Sequence, residues 1–274
     1  MYKLIATDCD GTILNSQGYL PREIIDTFRS LHNKGIHIII ATGRSDILAK
    51  DYLDELDIGC PIIGCNGATL ANLYTGENYF INSMETSALS KLFDMCEARN
   101  IGVKIFTPDT CYTSDKNLYE GGINLITTKY TRKMKYSINY ELVSNMHSLS
   151  SLKNVIKAVI IESDTEKLLN IRDIINESIP NLKAVQSNWN CIDINNKTVS
   201  KGNAVLKYAE MLNVKPNDII AFGDSENDIS MLKAAGLGIA VSNAADCVKK
   251  SADEITDTND NFGVAKYLQK LYNL

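Results

Sequence analysis

Short apolar runs at both ends of this 274-residue chain each stop at a cluster of small or acidic polar residues, and helix-period segments lie between them. The runs span 3–7, 36–41, 61–64, 218–222 and 237–241. Their near-continuous Ile, Val and Ala content suits strands covered on both faces, which is how a parallel sheet with crossover helices is built. Residues 21–34 place Ile24, Ile25, Phe28 and Leu31 on one stripe between a leading proline and Gly35, so period, start and stop signals agree on a helix. Residues 201–212 repeat the pattern with Val205, Tyr208, Ala209 and Leu212, and 228–235 predict a shorter helix ended by Gly236. The fold class is α/β, a Rossmann-like core on a parallel sheet.

The middle of the chain reads differently. A helix is expected over 88–99, strands over 103–106 and 111–113, and a polar, tyrosine-containing stretch runs to about 151. A second set follows: a strand at 157–161, a helix at 166–176, and a hairpin of 183–187 with 190–194 around Asn188-Trp189. This is an α+β insert. The expected division is a core of 1–82 and 195–274 interrupted by an insert of 83–194.

With 45% hydrophobic and 22% charged residues, the chain is ordinary globular material, long enough for about two domains. A net charge of -5 supplies no basic field for a nucleic acid polymer or an anionic membrane, so a small molecule is the expected partner. The start has no secretory pattern and no run reaches membrane-spanning length, so a cytoplasmic protein is expected, as a monomer or small homo-oligomer. The seven cysteines are scattered, and their one close pair, Cys60 and Cys65, has no second pair or histidine to complete a zinc site. They read as reduced, mostly buried thiols.

In open α/β sheets ligands bind beyond the carboxyl ends of the strands. Those ends offer Asp8 and Asp10, then Thr42-Gly43-Arg44, Asn66-Gly67-Ala68, Asp224 with Asn227 and Asp228, and Ser242-Asn243-Ala244. Carboxylates cost several kcal/mol to hold near a core without compensation, so two acidic clusters at buried strand ends call for a cation between them. The pattern points to phosphoryl chemistry at a magnesium ion.

Taken in order, Asp8-Cys9-Asp10-Gly11-Thr12, Ala41-Thr42-Gly43-Arg44, Ser200-Lys201-Gly202 and Gly223-Asp224-Ser225-Glu226-Asn227-Asp228 resemble the motifs of the haloacid dehalogenase superfamily. Cys65-Asn66-Gly67-Ala68, Val199-Ser200-Lys201-Gly202, Asn243-Ala244 and the tail at 259–264 look like its Cof-type (subclass IIB) sugar-phosphate phosphatases, which carry a large α+β cap of the C2B type. The resemblance spans the core almost end to end, and the cap in placement and coarse pattern.

It implies a phosphatase in which Asp8 attacks phosphorus and Asp10 first protonates the departing alkoxide, then deprotonates water. It implies Mg2+ held by Asp8, Asp224 and the Asp10 main-chain carbonyl. Thr42, Gly43 as a backbone amide, Lys201 at a helix start, and Asn227 would hold the phosphate or substrate. Asn227 and Asp228 would orient Lys201 and metal-bound water, with Asp228 equally able to reach the ion; Thr12 would steady Asp10 or the loop. The cap would open for exchange and close to exclude water. The expected substrate is a small phosphorylated metabolite, sugar phosphates foremost.

Each feature also has a plain reading. Asp-x-Asp-Gly-Thr alone is a good turn sequence, and Arg44 suits pairing with a core carboxylate better than touching substrate. Asn66, before glycine, stands evenly between a turn and a substrate contact, as does Asn243. Cys9 should point into the core, Glu226 into solvent, and His32, His37 and His147 are structural. Tyr112, Tyr119, Tyr130, Tyr136 and Tyr140 read as packing within the insert. Two rivals to the phosphatase stay open: a phosphosugar mutase of the same fold, and a phosphosugar-binding regulator without turnover. Retention of Asp8, Asp10, Lys201 and Asp224 argues against the regulator.

Overall fold

A computed structural model describes residues 1–121 and 135–274. The described residues form two compact units: Met1–Phe80 and Ser200–Leu274 with Lys135 and Tyr136, and 81–121 with 137–199.

The first unit is built on an 8-stranded sheet. Its order is Glu254–Thr256, Leu237–Val241, Ile219–Gly223, Leu4–Thr7, His37–Ala41, Ile62–Gly64, Thr69–Asn72 and Glu77–Ile81. The strands from Glu254–Thr256 to Ile62–Gly64 run parallel, and Thr69–Asn72 turns antiparallel to Ile62–Gly64. Leu4 pairs with Ile219 on one side and His37 on the other, placing Thr7 level with Phe222 and Ile40, so Asp8 leaves the sheet beside Gly223. Leu4, Ile5, Ile39, Ile62, Ile63, Ile219, Ile220, Phe222, Ile239 and Val241 are fully buried, as the near-continuous apolar runs require.

Helices Arg22–Asn33 and Lys201–Met211 bury the predicted stripes, including Ile24, Phe28 and Leu31 on one and Val205, Tyr208 and Ala209 on the other. Ile229–Ala234 is the short helix. Other elements went unread in the sequence: the helices Asp46–Leu56 and Gly263–Tyr272 and the strands Thr69–Asn72, Glu77–Ile81 and Glu254–Thr256. Asp46–Leu56 is obscured because its inward face carries Asp46 and Asp51 among the apolar residues. Asp51 accepts the Lys135 backbone N–H at 2.6 Å, and the Asp46 Oδ1 accepts the Thr69 hydroxyl at 2.6 Å.

Burial pushes the Asp46 carboxyl up to about 6, against the Thr69 hydrogen bond that lowers it. A carboxyl raised in the folded state makes its greatest contribution below the unfolded value of 3.8 and loses it as pH rises to about 6. Asp46→Asn keeps an oxygen for Thr69 and removes that loss. It is expected to stabilise the protein by up to roughly 3 kcal/mol at neutral pH and by little at pH 4, as read by thermal unfolding at both pH values. Equal midpoints for variant and wild type at pH 7.5 would show that Asp46 is hydrated.

The second unit holds a 6-stranded sheet in the order Leu182–Asn188, Cys191–Asn196, Lys157–Ile161, Val103–Phe106, Thr110–Thr113 and Asn139–Leu142. Helices Thr86–Ala98 and Thr165–Ser178 supply Leu89, Leu92, Phe93, Leu168, Ile171 and Ile175 to a core shared with Val103, Ile105, Ala158, Ile160, Ile192 and Ile194 of the sheet. The strand alternation sends Lys104, Lys157 and Asp193 to the other face, where Lys157 and Asp193 form a buried ion pair at 2.6 Å. Leu182–Asn188 and Cys191–Asn196 are the predicted hairpin, slightly longer than expected. The strand Asn139–Leu142 lies in the stretch read only as polar, and Tyr140 stacks on Tyr119 with ring centroids 5.3 Å apart. Tyr130 lies outside the described residues.

Candidate active site

Asp8 follows directly on a central strand, with its N–H donating to the Phe222 carbonyl at 3.0 Å. The chain then folds over itself, because the N–H groups of Thr12, Ile13 and Leu14 all donate to the Cys9 carbonyl. Gly11 has φ +85°, and a β-carbon there would lie 2.6 Å from Asp224 Oδ2. Only glycine allows both the turn and the approach of the second acidic loop. Cys9 is fully buried and burial pushes its thiol well up, so it is a core residue and no nucleophile.

The second loop is organised by Asp228. Its Oδ2 accepts the N–H groups of Asp224 at 3.0 Å and Ser225 at 2.9 Å, and Ser225 and Asp228 form a reciprocal capping box on the turn Glu226–Asp228. Its Oδ1 accepts from Lys201 Nζ at 2.6 Å, and the same ammonium donates to Asp8 Oδ1 at 2.5 Å. Lys201 opens the helix Lys201–Met211, capped by the Ser200 hydroxyl, and is 1% exposed. Burial opposes its charge, but Asp228 and Asp8 together hold it above the ordinary lysine range. Burial likewise pushes the Asp8 carboxyl well up; Lys201 pulls it back, and the carboxylates of Asp228, Asp224 and Asp10 add to the rise.

The remaining candidates divide by partner. Arg44 grips Asp10 with two hydrogen bonds, Nε to Oδ2 and an amino group to Oδ1, each 2.7 Å. Burial disfavours the Arg44 cation, and the Asp10 bonds more than offset it, raising the guanidinium further. Each Asp10 oxygen thus accepts one Arg44 bond and keeps a further lone pair. Of the two expected partners of Thr12, Asp10 or the loop, Asp10 is not the one its hydroxyl is seen to meet: it donates to Asp224 Oδ1 at 3.0 Å, tying the first acidic loop to the second. Asn227, expected to orient Lys201, instead donates from Nδ2 to Asn66 Oδ1 at 2.9 Å, and Lys201 is oriented by Asp8 and Asp228. Thr42 is buried at the end of the second strand, where its hydroxyl accepts the Arg44 N–H at 3.1 Å and Gly43 follows. Asn243 Nδ2 donates to the Gly11 carbonyl at 2.8 Å while its Oδ1 accepts the Asn259 N–H, and Asn259 Nδ2 reaches the Leu14 carbonyl at 2.7 Å. These two asparagines tie down the first acidic loop. Asn259 was legible only as part of the tail resemblance; the supporting role of Ser225 was announced by Ser-x-x-Asp spacing at 225–228.

One carboxylate oxygen each of Asp8, Asp224 and Asp228 lies within 4.8 Å of the others. A hard divalent cation that takes carboxylate oxygens fits this donor set, and the raised Asp8 carboxyl marks the charge it would offset. Asp10 is not in this group, and its carboxylate is bound to Arg44. Glu226 is exposed, and among the described residues no helix is long and apolar enough to cross a membrane.

Two buried carboxylates, Asp8 and Asp228, hold one buried lysine at the ends of parallel strands, and the comparisons with known proteins agree on a family for the chain. The profile of the haloacid dehalogenase-like hydrolases matches residues 5–268. A protein of Buchnera aphidicola named a putative phosphatase is 30% identical, with 99% of each chain covered. A 5-amino-6-(5-phospho-D-ribitylamino)uracil phosphatase of Bacillus subtilis is 29% identical over 98% of each chain. The solved structure of a haloacid dehalogenase-like hydrolase from B. subtilis superposes with a TM-score of 0.85 at 27% identity, covering 98% of this chain and 99% of that one. The chain therefore belongs to the haloacid dehalogenase-like hydrolases, among the Cof-type phosphatases.

Proposed function

We propose that the protein is a magnesium-dependent phosphatase of small phosphorylated metabolites, sugar phosphates foremost, with 1–82 and 195–274 as its catalytic core and 83–194 as its cap. The observation that carries this reading is the buried Lys201 ammonium between Asp8 and Asp228, with carboxylate oxygens of Asp8, Asp224 and Asp228 gathered within 4.8 Å. Asp8, whose Oδ1 accepts from Lys201, would attack phosphorus through a carboxylate oxygen. The phosphorus–ester oxygen bond breaks as that oxygen takes a proton from Asp10. Water then attacks the aspartyl phosphate, Asp10 takes its proton, and the bond to Asp8 breaks, restoring the carboxylate. Lys201 and the Thr42 hydroxyl would hold the transferring oxygens. Magnesium held by Asp8, Asp224 and the Asp10 carbonyl, with Asp228 nearby, would supply charge neutralisation for the phosphate.

The phosphoribityl substrate named for the B. subtilis relative belongs in the test panel as a phosphorylated polyol. Purified protein is expected to release phosphate from one or more members of a panel of sugar phosphates, nucleotides and phosphorylated cofactors with magnesium, and to stop when the ion is chelated. No release from any member, with esters still bound, would overturn the phosphatase reading.

A further inference from the structure

The turn Cys65–Gly67 keeps three successive residues in the left-handed region, with φ of 47° at Cys65, 64° at Asn66 and 107° at Gly67. Non-glycine residues held there are strained and persist where the surroundings over-determine them. Here the surroundings do. A β-carbon on Gly67 would lie 2.3 Å from the Ser200 carbonyl oxygen, so the turn is seated against the start of the helix that carries Lys201. The Cys65 N–H donates to the Arg44 carbonyl at 2.7 Å and the Asn66 N–H to the Thr42 carbonyl at 3.0 Å. The turn is therefore pinned to both elements that flank the phosphate-binding candidates.

What it delivers is one atom. Asn66 Oδ1 accepts the Asn227 Nδ2 at 2.9 Å and lies 2.9 Å from where a β-carbon on Gly43 would stand; Asn227 Nδ2 is 3.7 Å from the same point. The two amides thus close over Gly43, which has no side chain to displace them. With its nitrogen committed to Asn66, the Asn227 amide has a defined orientation, and its Oδ1 is buried without a hydrogen-bond partner among the described residues. A buried acceptor of this kind, unmet by the described residues, is open to a donor from a ligand or an ordered water.

We infer that Asn66 is a positioning residue: it holds the Asn227 amide across Gly43 so that the Asn227 Oδ1 receives a hydrogen-bond donor from the bound ester or from an ordered water. The inference rests on the phosphatase reading, and its test separates the two. Steady-state kinetics with magnesium would compare wild type, Asn66→Gly, Asn227→Ala and the double variant on glucose 6-phosphate, whose hydroxyls can donate, and on p-nitrophenyl phosphate, which has no donor and reads the water-mediated case. Asn66→Gly keeps the left-handed backbone and removes only the amide. Each single change is expected to lower kcat roughly 10- to 100-fold, as mispositioning does. The double variant is expected to lose no more than Asn227→Ala alone, because both remove one interaction.

Multiplying losses in the double variant, or a wild-type kcat for Asn66→Gly, would overturn the inference. Should Asn66→Gly fail to fold, Asn66→Asp tolerates the same backbone and keeps an accepting oxygen. Its kcat should lie closer to wild type than that of Asn227→Ala, because its carboxylate still accepts from the Asn227 amide; a loss as large as that of Asn227→Ala counts against the role. A wild type that releases no phosphate sinks the functional reading alone. The same cycle is then read on the binding constant for inorganic phosphate with magnesium, where equal weakening in the Asn227→Ala and double variants supports the inference and multiplied weakening refutes it.

Discussion

Asp8→Asn is expected to lower metal-dependent phosphate release by roughly 10⁴-fold or more while leaving the thermal unfolding midpoint within a few degrees of wild type. The substitution is isosteric, and it leaves the main-chain bond from the residue 8 N–H to Phe222 in place. It removes a carboxylate that burial already disfavours, in a neighbourhood crowded by Asp228, Asp224 and Asp10. Lys201 loses one acceptor and keeps Asp228. The two stability effects oppose each other, so the fold should persist while the attacking oxygen, replaced by a neutral amide, no longer displaces an alkoxide. Activity above a tenth of wild type in a folded Asp8→Asn protein would remove Asp8 from the nucleophile's role.

Lys201→Met should act on stability and activity together. The ammonium is 1% exposed and faces two carboxylates that are themselves buried, Asp8 at 5% and Asp228 at 0%. Breaking a buried pair by removing one partner leaves uncompensated charge and typically costs 3–5 kcal/mol, about 10 °C in a chain of this size. The sign with pH follows from the shifts. Lys201 is raised above the usual lysine value of 10.5, so its contribution is complete below that value and wanes only as pH climbs through the raised one. Asp8 is raised too, so acid protonates it and relieves the orphaned charge. The deficit of Lys201→Met relative to wild type should therefore be widest at pH 7–9 and narrow towards pH 4. A variant that unfolds like wild type at pH 8 would mean that water or another cation reaches these carboxylates.

Much of this molecule is written locally. The parallel sheet follows from short Ile-rich runs with helix-period segments between them, since apolar periodicity and Gly or Pro punctuation act over a few residues. The placement of Asp8, Thr42, Asn66, Asp224 and Asn243 at strand ends follows from the same runs, because a parallel sheet presents every carboxyl end on one side. Elements that carry buried charge escaped that reading, as Asp46–Leu56 did, since an inward aspartate looks like an outward one until its partner is known.

The partners are where sequence stops. Arg44 meets Asp10 across 34 positions, Asn227 meets Asn66 across 161, Lys201 meets Asp8 across 193 and Thr12 meets Asp224 across 212. The sequence by itself determined which residue types stand at the strand ends and hence the kind of chemistry they can do. Only the tertiary structure decided that the carboxylate Arg44 holds is Asp10, that Asn227 meets Asn66 and not Lys201, and that Thr12 serves Asp224. Hydrogen-bond pairing depends on ångström-scale approach between segments, and the spacing of residues along a chain carries no record of it.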